Sequence, residues 1–394
     1  MKRSHTRILT THTGSLPRPP DLVEALNVKE LGKGYDETAL DERVRRAIAE
    51  VGQRQAEAGL DVINDGEHSK VSWMAYARAR LSGLEEIDSP VRFRGATRDS
   101  LAFAAAYEDM RVMLAARSSA IVAKRKVRPK AWVSTGPIAY VGLEELRADI
   151  ENLKLALQNT RAEEAFLTAI SPSNLELYYE NQYYRSAEEY LIALADAMRV
   201  EYKAIVDAGF VLQIDDPRMA THYNRTPDAS IKDCRKFMAL RVEAVNYALR
   251  GIPPDRVRFH TCYSVNIAPR IFDFELKHFI DLLLKINAGA YLFEAANPRH
   301  EHEWELWREV KLPDDKILIP GVVSHCIHLV EHQELVAQRL IRFAQVVGRE
   351  RVVAGTDCGF GTSGAGDEVH PDVAWAKLRA LVEGAEIASR KLWA

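Results

Sequence analysis

Short runs of β-branched and other apolar residues alternate with longer amphipathic segments along most of this chain. The first apolar run covers residues 8–11. After it, Leu40, Val44, Ile48 and Val51 recur at the three-to-four-residue spacing of a helix that buries one face. Strands that alternate with helices in this way predict a mostly parallel sheet with helical crossovers.

Eight strands are predicted once one irregular stretch is set aside. They cover residues 8–11, 61–64, 165–168, 211–214, 257–259, 290–293, 317–319 and 352–354. The simplest closure of eight such strands is a (β/α)8 TIM barrel, an α/β fold whose active sites lie at the C-terminal strand ends. The irregular stretch, about residues 92–160, has strand candidates near 91–94 and 131–134. We interpret it as a hairpin and helical segment inserted after the second strand of a single catalytic domain, residues 1–394.

Helix boundaries are clearest around the fourth strand of the predicted barrel. Ser186 with Glu189 has the spacing of a capping box, and Gly209 follows the last apolar position of the helix that begins there. A second clear helix carries Leu335 and Phe343 after the seventh strand. These boundaries support the alternation of strands and helices.

Composition excludes several classes of function. The chain has 394 residues, 47% of them hydrophobic and 28% charged, with a net charge of −3, so nothing favours nucleic acid or an anionic membrane. No apolar run approaches the roughly 20 residues that a membrane span needs. The 4 cysteines are too few for a disulfide framework in a chain of this length. We therefore expect a cytoplasmic enzyme with reduced thiols.

Three of the last four predicted strands end in residues that bind metals. His260 and Cys262 follow one strand, Glu294 the next, and Cys358 the last. Two thiolates, an imidazole and a carboxylate complete a tetrahedral Zn²⁺ shell, and residues two apart on an extended chain point the same way. Because these ligands bind deprotonated, the shell carries a charge of about −1. Such a metal is a poor Lewis acid for water and a better holder of a nucleophilic thiolate.

Each ligand alone also has a structural interpretation. Cys358 by itself is more typical of a buried apolar thiol than of a metal ligand, and Glu294 by itself is also compatible with a cap of the following helix. A rival pair, His300 and His302, follows Asn297 in a pattern that we interpret as a helix start rather than a metal site. The coincidence of four ligand types at one end of a barrel favours zinc.

The ordered motifs of the chain resemble the catalytic domain of the cobalamin-independent methionine synthase family, within the methionine-synthase and uroporphyrinogen-decarboxylase superfamily. The matching segments are residues 11–17, 65–67, 213–217, 260–264, 293–294 and 356–362. The resemblance implies that His260, Cys262, Glu294 and Cys358 hold zinc, and that Gly14, Ser15, Glu67 and Asp215 hold an amino-acid thiol. It also implies that Glu67 and Asp215 bind the ammonium group of that thiol, while backbone near Ser15 receives its carboxylate.

These features together predict a zinc-dependent thiol alkyltransferase. The favoured reaction is methyl transfer from 5-methyltetrahydrofolate, or a simpler methyl donor, to homocysteine, which gives methionine. The leaving group needs a proton, for which His325 and His12 are the candidates. Tyr263 is expected to contact a substrate, and with Trp73 and Tyr76 to line the donor pocket. We expect a small thiol and a methyl or alkyl donor as partners, without nucleic acid or membrane, and a homo-oligomer stays open.

Three alternatives also stay open from the residues. One is the addition of coenzyme M to an epoxide, as in the related zinc-dependent epoxyalkane:coenzyme M transferase. Another is a metal-free decarboxylase or lyase on the same barrel. The third is a thiol-binding sensor without turnover, because Cys326 appears where the synthase family has a histidine after the seventh strand.

Overall fold

The computed structural model describes residues 1–30, 32, 34–90, 95–110, 130–263, 268–361 and 369–394. The predicted strands are all present in those ranges, apart from the candidate at 91–94, which lies outside them. The strands are β1 (Leu9–Thr10), β2 (Val62–Ile63), β3 (Leu84–Pro90), β4 (Lys130–Ser134), β5 (Glu164–Ile170), β6 (Tyr179–Asn181), β7 (Val211–Asp215), β8 (Val257–His260), β9 (Ala290–Glu294), β10 (Ile317–Val323) and β11 (Val353–Thr356).

Eight of these strands form one parallel sheet, in the order β1-β11-β10-β9-β8-β7-β5-β2. From β2 to β11, neighbours in the sheet are also consecutive barrel strands along the chain, and β11 pairs with β1. Helices cover the outside of the sheet. All residues of β7, β8, β9, β10 and β11 are buried, as expected of parallel strands covered on both faces. The sheet is a nearly closed TIM-type barrel, so the predicted fold class is confirmed.

The gap between β1 and β2 is closed largely by the carboxylate of Asp61. Asp61 Oδ2 accepts hydrogen bonds from Thr10 N (2.8 Å) and Thr10 Oγ1 (3.0 Å), and Asp61 N donates to Thr10 O (3.1 Å). Both oxygens also pair with the guanidinium of Arg7, at 2.6 and 2.7 Å. One buried side chain therefore joins two strands too short for a regular ladder.

Three of the α-helices in the described ranges coincide with those that the periodicity predicts around residues 40–51, 186–209 and 335–343. The α-helices are α1 (Pro20–Glu30), α2 (Glu37–Glu57), α3 (Trp73–Arg80), α4 (Arg98–Ala102), α5 (Leu143–Leu157), α6 (Pro172–Tyr178), α7 (Ala187–Asp207), α8 (Pro217–Arg225), α9 (Ile231–Ala248), α10 (Ile280–Leu283), α11 (Gln333–Val347) and α12 (Pro371–Leu392). Short 3-10 helices occupy Pro254–Arg256, Leu276–His278, Glu301–Arg308 and Arg349–Arg351.

The start of α7 differs from the predicted capping box in one bond. Ser186 Oγ accepts from Glu189 N at 3.1 Å, as predicted. The carboxylate of Glu189, however, accepts from Arg185 N at 3.1 Å rather than from Ser186 N. The N-terminal end of the helix therefore still has two capping hydrogen bonds, with the amide of Arg185 in place of the amide of Ser186 as the donor to Glu189.

A second, three-stranded sheet lies beside the barrel. Strand β3 pairs antiparallel with β4, and β4 pairs parallel with β6, which follows α6. The hairpin therefore starts at Leu84, before the predicted boundary near residue 92, and it recruits a strand from beyond residue 160. Sequence patterns could not reveal this third strand, because β6 has only 3 residues.

Within the described residues, no helix combines the length and apolar character needed to cross a membrane.

Replacement of Asp61 by alanine should open the junction between β1 and β2. The change leaves the Thr10 amide and the Arg7 guanidinium without their acceptor, which should cost about 2–4 kcal/mol of unfolding free energy. The shift in the midpoint of urea-induced unfolding measures the loss. Asp21→Ala removes an exposed partner of Arg43 instead and should cost at most about 1 kcal/mol. Equal shifts in the two variants would show that Asp61 does not hold the barrel closed.

Candidate active site

His260, Cys262 and Cys358 meet at the C-terminal end of the barrel. His260 is the last residue of β8, Cys262 lies two residues beyond it, and Cys358 lies two residues beyond β11. Their ligand atoms all lie within 4.8 Å of one another, and all three residues are buried. The two sulfur atoms are 3.5 Å apart. The barrel thus brings together side chains that are separated by 96 residues in sequence.

The imidazole of His260 is fixed by a chain of buried hydrogen bonds. Its Nδ1 lies 2.7 Å from Asp215 Oδ1, which also accepts from Gln213 Nε2 at 2.8 Å. Gln213 Oε1 in turn accepts from Arg258 Nε at 2.6 Å. Because a carboxylate only accepts, His260 carries a proton on Nδ1 in either of its charge states. Its Nε2 is buried and has no hydrogen-bond partner among the described residues.

Glu294 lies next to this group, but hydrogen bonds from other residues occupy both of its oxygens. Oε1 accepts from Tyr263 N at 2.7 Å, and Oε2 accepts from Asn297 Nδ2 at 2.7 Å and from Arg270 at 3.4 Å. Its ligand atoms are not part of the close group formed by the histidine and the two cysteines. The fourth predicted ligand therefore stays a prediction.

The electrostatics of the three close residues are strongly coupled. The hydrogen bond between the sulfur atoms lowers the pKa of Cys262 to about 6 and raises the pKa of Cys358 well above its usual range. Burial opposes a charge on His260, yet the Cys262 thiolate and the Asp215 hydrogen bond raise the pKa of this imidazole to about 10. At neutral pH the group therefore holds one thiolate, one thiol and one imidazolium.

This donor set fits a soft divalent cation. Two thiols in contact, with a buried imidazole nitrogen that makes no other hydrogen bond, are the ligand types of protein zinc sites. The Asp215 contact to the far ring nitrogen is the usual partner of a metal-binding histidine. These residues could therefore hold a metal ion with three protein ligands, or four with Glu294.

A cavity of about 230 Å³ opens onto the group. Its wall combines carboxylates, amides and apolar side chains, from Thr13, Ser15, Glu67, Ser72, Trp73, Met74, Ile170, Asn174, Tyr178, Asp215, Pro217, His260, Cys262, Cys358 and Gly359. The volume suits a small amphiphilic molecule, and two carboxylates on the wall favour one with a positive charge.

Glu67 has the strained backbone typical of functional positions. Its φ of 58° makes it the described chain's one non-glycine residue in the left-handed region. Asp65 Oδ1 accepts from Glu67 N at 3.0 Å, and Glu67 Oε1 accepts from Thr168 Oγ1 at 2.9 Å. Burial raises the pKa of Glu67 to about 7, although Lys70 opposes the shift. The turn therefore presents a carboxylate whose charge a bound cation would stabilise.

Gly14 and Ser15 follow the first strand, and Gly14 lies beside the cavity-lining residue Glu67. Gly14 has a φ of 143°, and a Cβ there would lie 2.7 Å from Thr168 Cγ2 and 3.0 Å from Glu67 Oε1. Glycine is therefore required for the close approach of β1's end to Glu67. Ser15 lines the cavity, and its carbonyl accepts from Phe360 N at 2.9 Å.

Four other predicted residues lie outside the cavity wall, namely His12, Tyr76, Tyr263 and His325. His12 Nε2 lies 2.7 Å from Gln55 Oε1, its Nδ1 accepts from Gly14 N at 3.2 Å, and burial lowers the pKa of His12 to about 3. The Tyr263 ring stacks on His300, with centroids 3.8 Å apart. His325 is buried, with Nε2 2.9 Å from Cys326 Sγ. The fold thus already occupies both nitrogens of His12.

Sequence reasoning missed several residues that support the carboxylates. Lys70 Nζ donates to Thr168 O (2.9 Å) and Thr168 Oγ1 (2.8 Å), and Asn174 Nδ2 donates to Asp215 O (3.0 Å). Thr168 and Asn174 follow the rule that site residues lie on or just beyond a barrel strand, here β5. That rule could have indicated them, whereas the reach of Lys70 depends on tertiary structure.

Comparisons with known proteins agree with this architecture. A family model described as "Cobalamin-independent synthase, Catalytic domain" matches residues 8–171 and 167–386. Methionine synthase of Thermococcus kodakarensis is 26% identical over 386 residues, which cover 97% of this chain and 94% of that protein. Methionine synthase of Saccharolobus solfataricus is 28% identical, with 97% and 95% covered.

A solved structure supports the fold. The B12-independent methionine synthase of a Shewanella species, in complex with selenomethionine, superposes with a TM-score of 0.71 at 18% identity, covering 98% of this chain and 99% of that one. At this identity the likeness concerns the barrel itself.

Cobalt titration should distinguish the cysteines at the site from the other two. Wild-type protein should bind one equivalent of Co²⁺ with a thiolate-to-metal absorption band, and Cys262→Ser or Cys358→Ser should lose most of the band. Cys234→Ser and Cys326→Ser are matched controls, because neither sulfur belongs to the close group. Stoichiometric binding with an unchanged band in Cys358→Ser would rule out the proposed ligands.

Zinc affinity should rise steeply with pH. Between about pH 6 and 10, binding must displace one proton from His260 and one from Cys358, since only Cys262 is already ionised. Affinity should therefore increase by about 100-fold per pH unit, two protons being released. Competition with a zinc chelator at pH 6.5, 7.5 and 8.5 measures the slope. A slope near zero would mean that this ionisation pattern is wrong.

Proposed function

We propose, because the chain belongs to the cobalamin-independent methionine synthase family, that it is a zinc-dependent methyltransferase that converts homocysteine to methionine. One observation carries the proposal: His260, Cys262 and Cys358 converge on a cavity whose wall also presents Glu67 and Asp215. The first three suit a metal that binds sulfur, and the carboxylates suit the ammonium of an amino acid. The names of the two archaeal relatives agree with this reaction.

The charges at the cavity favour homocysteine over coenzyme M. Homocysteine carries an ammonium group, which Glu67 and Asp215 can bind through charge-assisted hydrogen bonds. Coenzyme M carries a sulfonate instead, and two buried carboxylates would repel it. The backbone around Ser15 is our candidate for the carboxylate of the substrate.

Each residue of the metal group has a defined task in this proposal. A bound Zn²⁺ would keep the substrate sulfur as a thiolate at neutral pH. His260, Cys262 and Cys358 would hold the ion. Glu294 would either be its fourth ligand or leave that position to the substrate sulfur. Asp215 keeps the His260 imidazole in the tautomer that leaves Nε2 for the metal. Such thiols stay reduced in the cytoplasm, where we place the enzyme.

The transfer forms a sulfur–carbon bond and breaks the bond between the methyl carbon and the donor. The electron pair of the broken bond leaves with the donor, which then takes up a proton. We assign that proton transfer to His325 rather than His12. The neighbour of His325, Cys326, lies close enough to Glu294 and Cys262 for their charges to affect the pKa of its thiol. The donor is 5-methyltetrahydrofolate or a simpler methyl compound.

Product analysis tests the reaction directly. Zinc-loaded protein should form methionine from homocysteine with at least one of several donors, among them 5-methyltetrahydrofolate with one or three glutamates. Mass spectrometry identifies the product. Binding of homocysteine without methionine from any donor would favour a sensor, and alkylated coenzyme M formed from an epoxide would favour the epoxide reaction.

Glu67→Gln should weaken homocysteine binding and change its pH dependence. Loss of one charge-assisted hydrogen bond of about 1.5–3 kcal/mol predicts a KM for homocysteine raised about 10- to 100-fold. In the wild type, kcat/KM for homocysteine should fall below about pH 7, as the Glu67 carboxylate gains a proton.

That limb of the pH profile should be absent from the glutamine variant, while the KM of the methyl donor stays unchanged. Glu188→Gln, in the exposed first turn of α7, is the matched control and should resemble the wild type. Retention of the wild-type KM and pH profile in Glu67→Gln would exclude Glu67 as the ammonium ligand.

A further inference from the structure

A second cavity of about 450 Å³ lies between the barrel and the small three-stranded sheet. Trp132 and Val133 of β4 and Arg218 of α8 are among its lining residues. Two further residues, Met74 and Tyr178, line both this cavity and the one at the thiols. The two cavities are therefore neighbours separated by shared side chains, and the proposed reaction needs room for a second molecule.

Arg218 brings a positive charge into this cavity without a matching negative charge. It forms no hydrogen bond or ion pair with any described residue, and its Nε is buried without a partner. Burial lowers the pKa of Arg218 only to about 10, so the guanidinium is charged at neutral pH. Arg218 is half-buried, and a cation that is largely removed from water without a counterion costs stability, so such groups are normally paired.

Other groups already hold the nearest carboxylates. Both oxygens of Glu176 accept from Arg241 Nη2, at 2.7 and 2.8 Å. Asp216 accepts from Ser173 Oγ at 2.6 Å and from Met219 N at 3.1 Å. Each carboxylate therefore has a stronger partner than Arg218.

The rest of the wall combines apolar and aromatic side chains with two carboxylates, those of Glu176 and Glu180. Glu180 is exposed. Arg225, on the same helix as Arg218, is not among the lining residues but lies near enough to Tyr178 for its charge to act on that ring's hydroxyl. Trp132 and Tyr178 supply aromatic surface. Such a cavity suits a ligand with an anionic end and a flat apolar body.

We propose that the second cavity binds a small organic anion, whose carboxylate or phosphate pairs with Arg218 and whose body packs against Trp132 and Tyr178. Because the cavity adjoins the thiol cavity through Met74 and Tyr178, we assign it to the charged, non-reacting end of the methyl donor. The assignment to the donor rests on the proposed function, whereas the binding of an anion does not.

Calorimetry with two probe anions tests the binding. Sodium benzoate and phenyl phosphate present a carboxylate and a phosphate on the same flat body, and at least one should bind the wild type in the metal-loaded protein. Arg218→Gln should weaken that binding about tenfold or more, and Arg218→Lys should weaken it less. Arg250→Gln, which removes an exposed partner of Asp196, is the matched control and should bind as the wild type does.

The stronger of the two probes identifies the anionic group that the site prefers. If neither probe binds the wild type, or if Arg218→Gln binds as tightly as the wild type, the anion site is refuted. Thermal unfolding separates binding from a structural role. Loss of an unpaired, half-buried charge should leave the melting temperature of Arg218→Gln unchanged or raised, and a clear drop would mean that Arg218 serves the fold.

Steady-state kinetics tests the assignment to the donor. In Arg218→Gln the KM of the methyl donor should rise about tenfold or more, with the KM of homocysteine unchanged. Loss of probe binding with an unchanged donor KM would overturn the assignment. Failure to form methionine from any donor would refute the proposed function, and calorimetry would still decide whether the anion site exists.

Discussion

The site depends on one line of hydrogen bonds that runs up the inside of the barrel, from Arg258 through Gln213 and Asp215 to His260. All four side chains are buried, and Arg258 also donates to the carbonyl of His12 at 2.6 Å. Burial lowers the pKa of Arg258 to about 9, and the charge of Asp215 opposes that shift. A buried cation at the bottom therefore stabilises the carboxylate that orients the imidazole at the top.

Much of the barrel could be predicted from the sequence, because its strands are buried on both faces and their ends carry polar residues. The apolar runs that lead to His260, Glu294 and Cys358 are all strands of the parallel sheet. Once the closure is known, strand ends from distant parts of the chain must meet. That topology brings His260, Cys262 and Cys358 to one end of the barrel, as it does Glu294, whose ligand atoms nevertheless stay outside the close group.

Side-chain directions could not be predicted in the same way. Asp215 and Glu67 both line the cavity wall, as the family resemblance implies. The Oδ1 atom of Asp215, however, is hydrogen-bonded to His260. His12 follows a strand, as an active-site residue would. Its ring, however, is hydrogen-bonded to Gln55 on α2 and does not line the cavity. The third strand of the small sheet was missed because three residues carry no usable periodicity. These outcomes depend on tertiary contacts that local patterns do not encode.

The contact between the two site sulfurs has a practical consequence for handling the protein. At 3.5 Å, Cys262 and Cys358 need to move only a short way to reach the roughly 2.05 Å of a covalent S–S bond. One of them is already a thiolate near neutral pH, and thiolates are the form that oxidants attack. Chelator-treated preparations exposed to air should accordingly cross-link within the chain and resist reloading until a reductant is added.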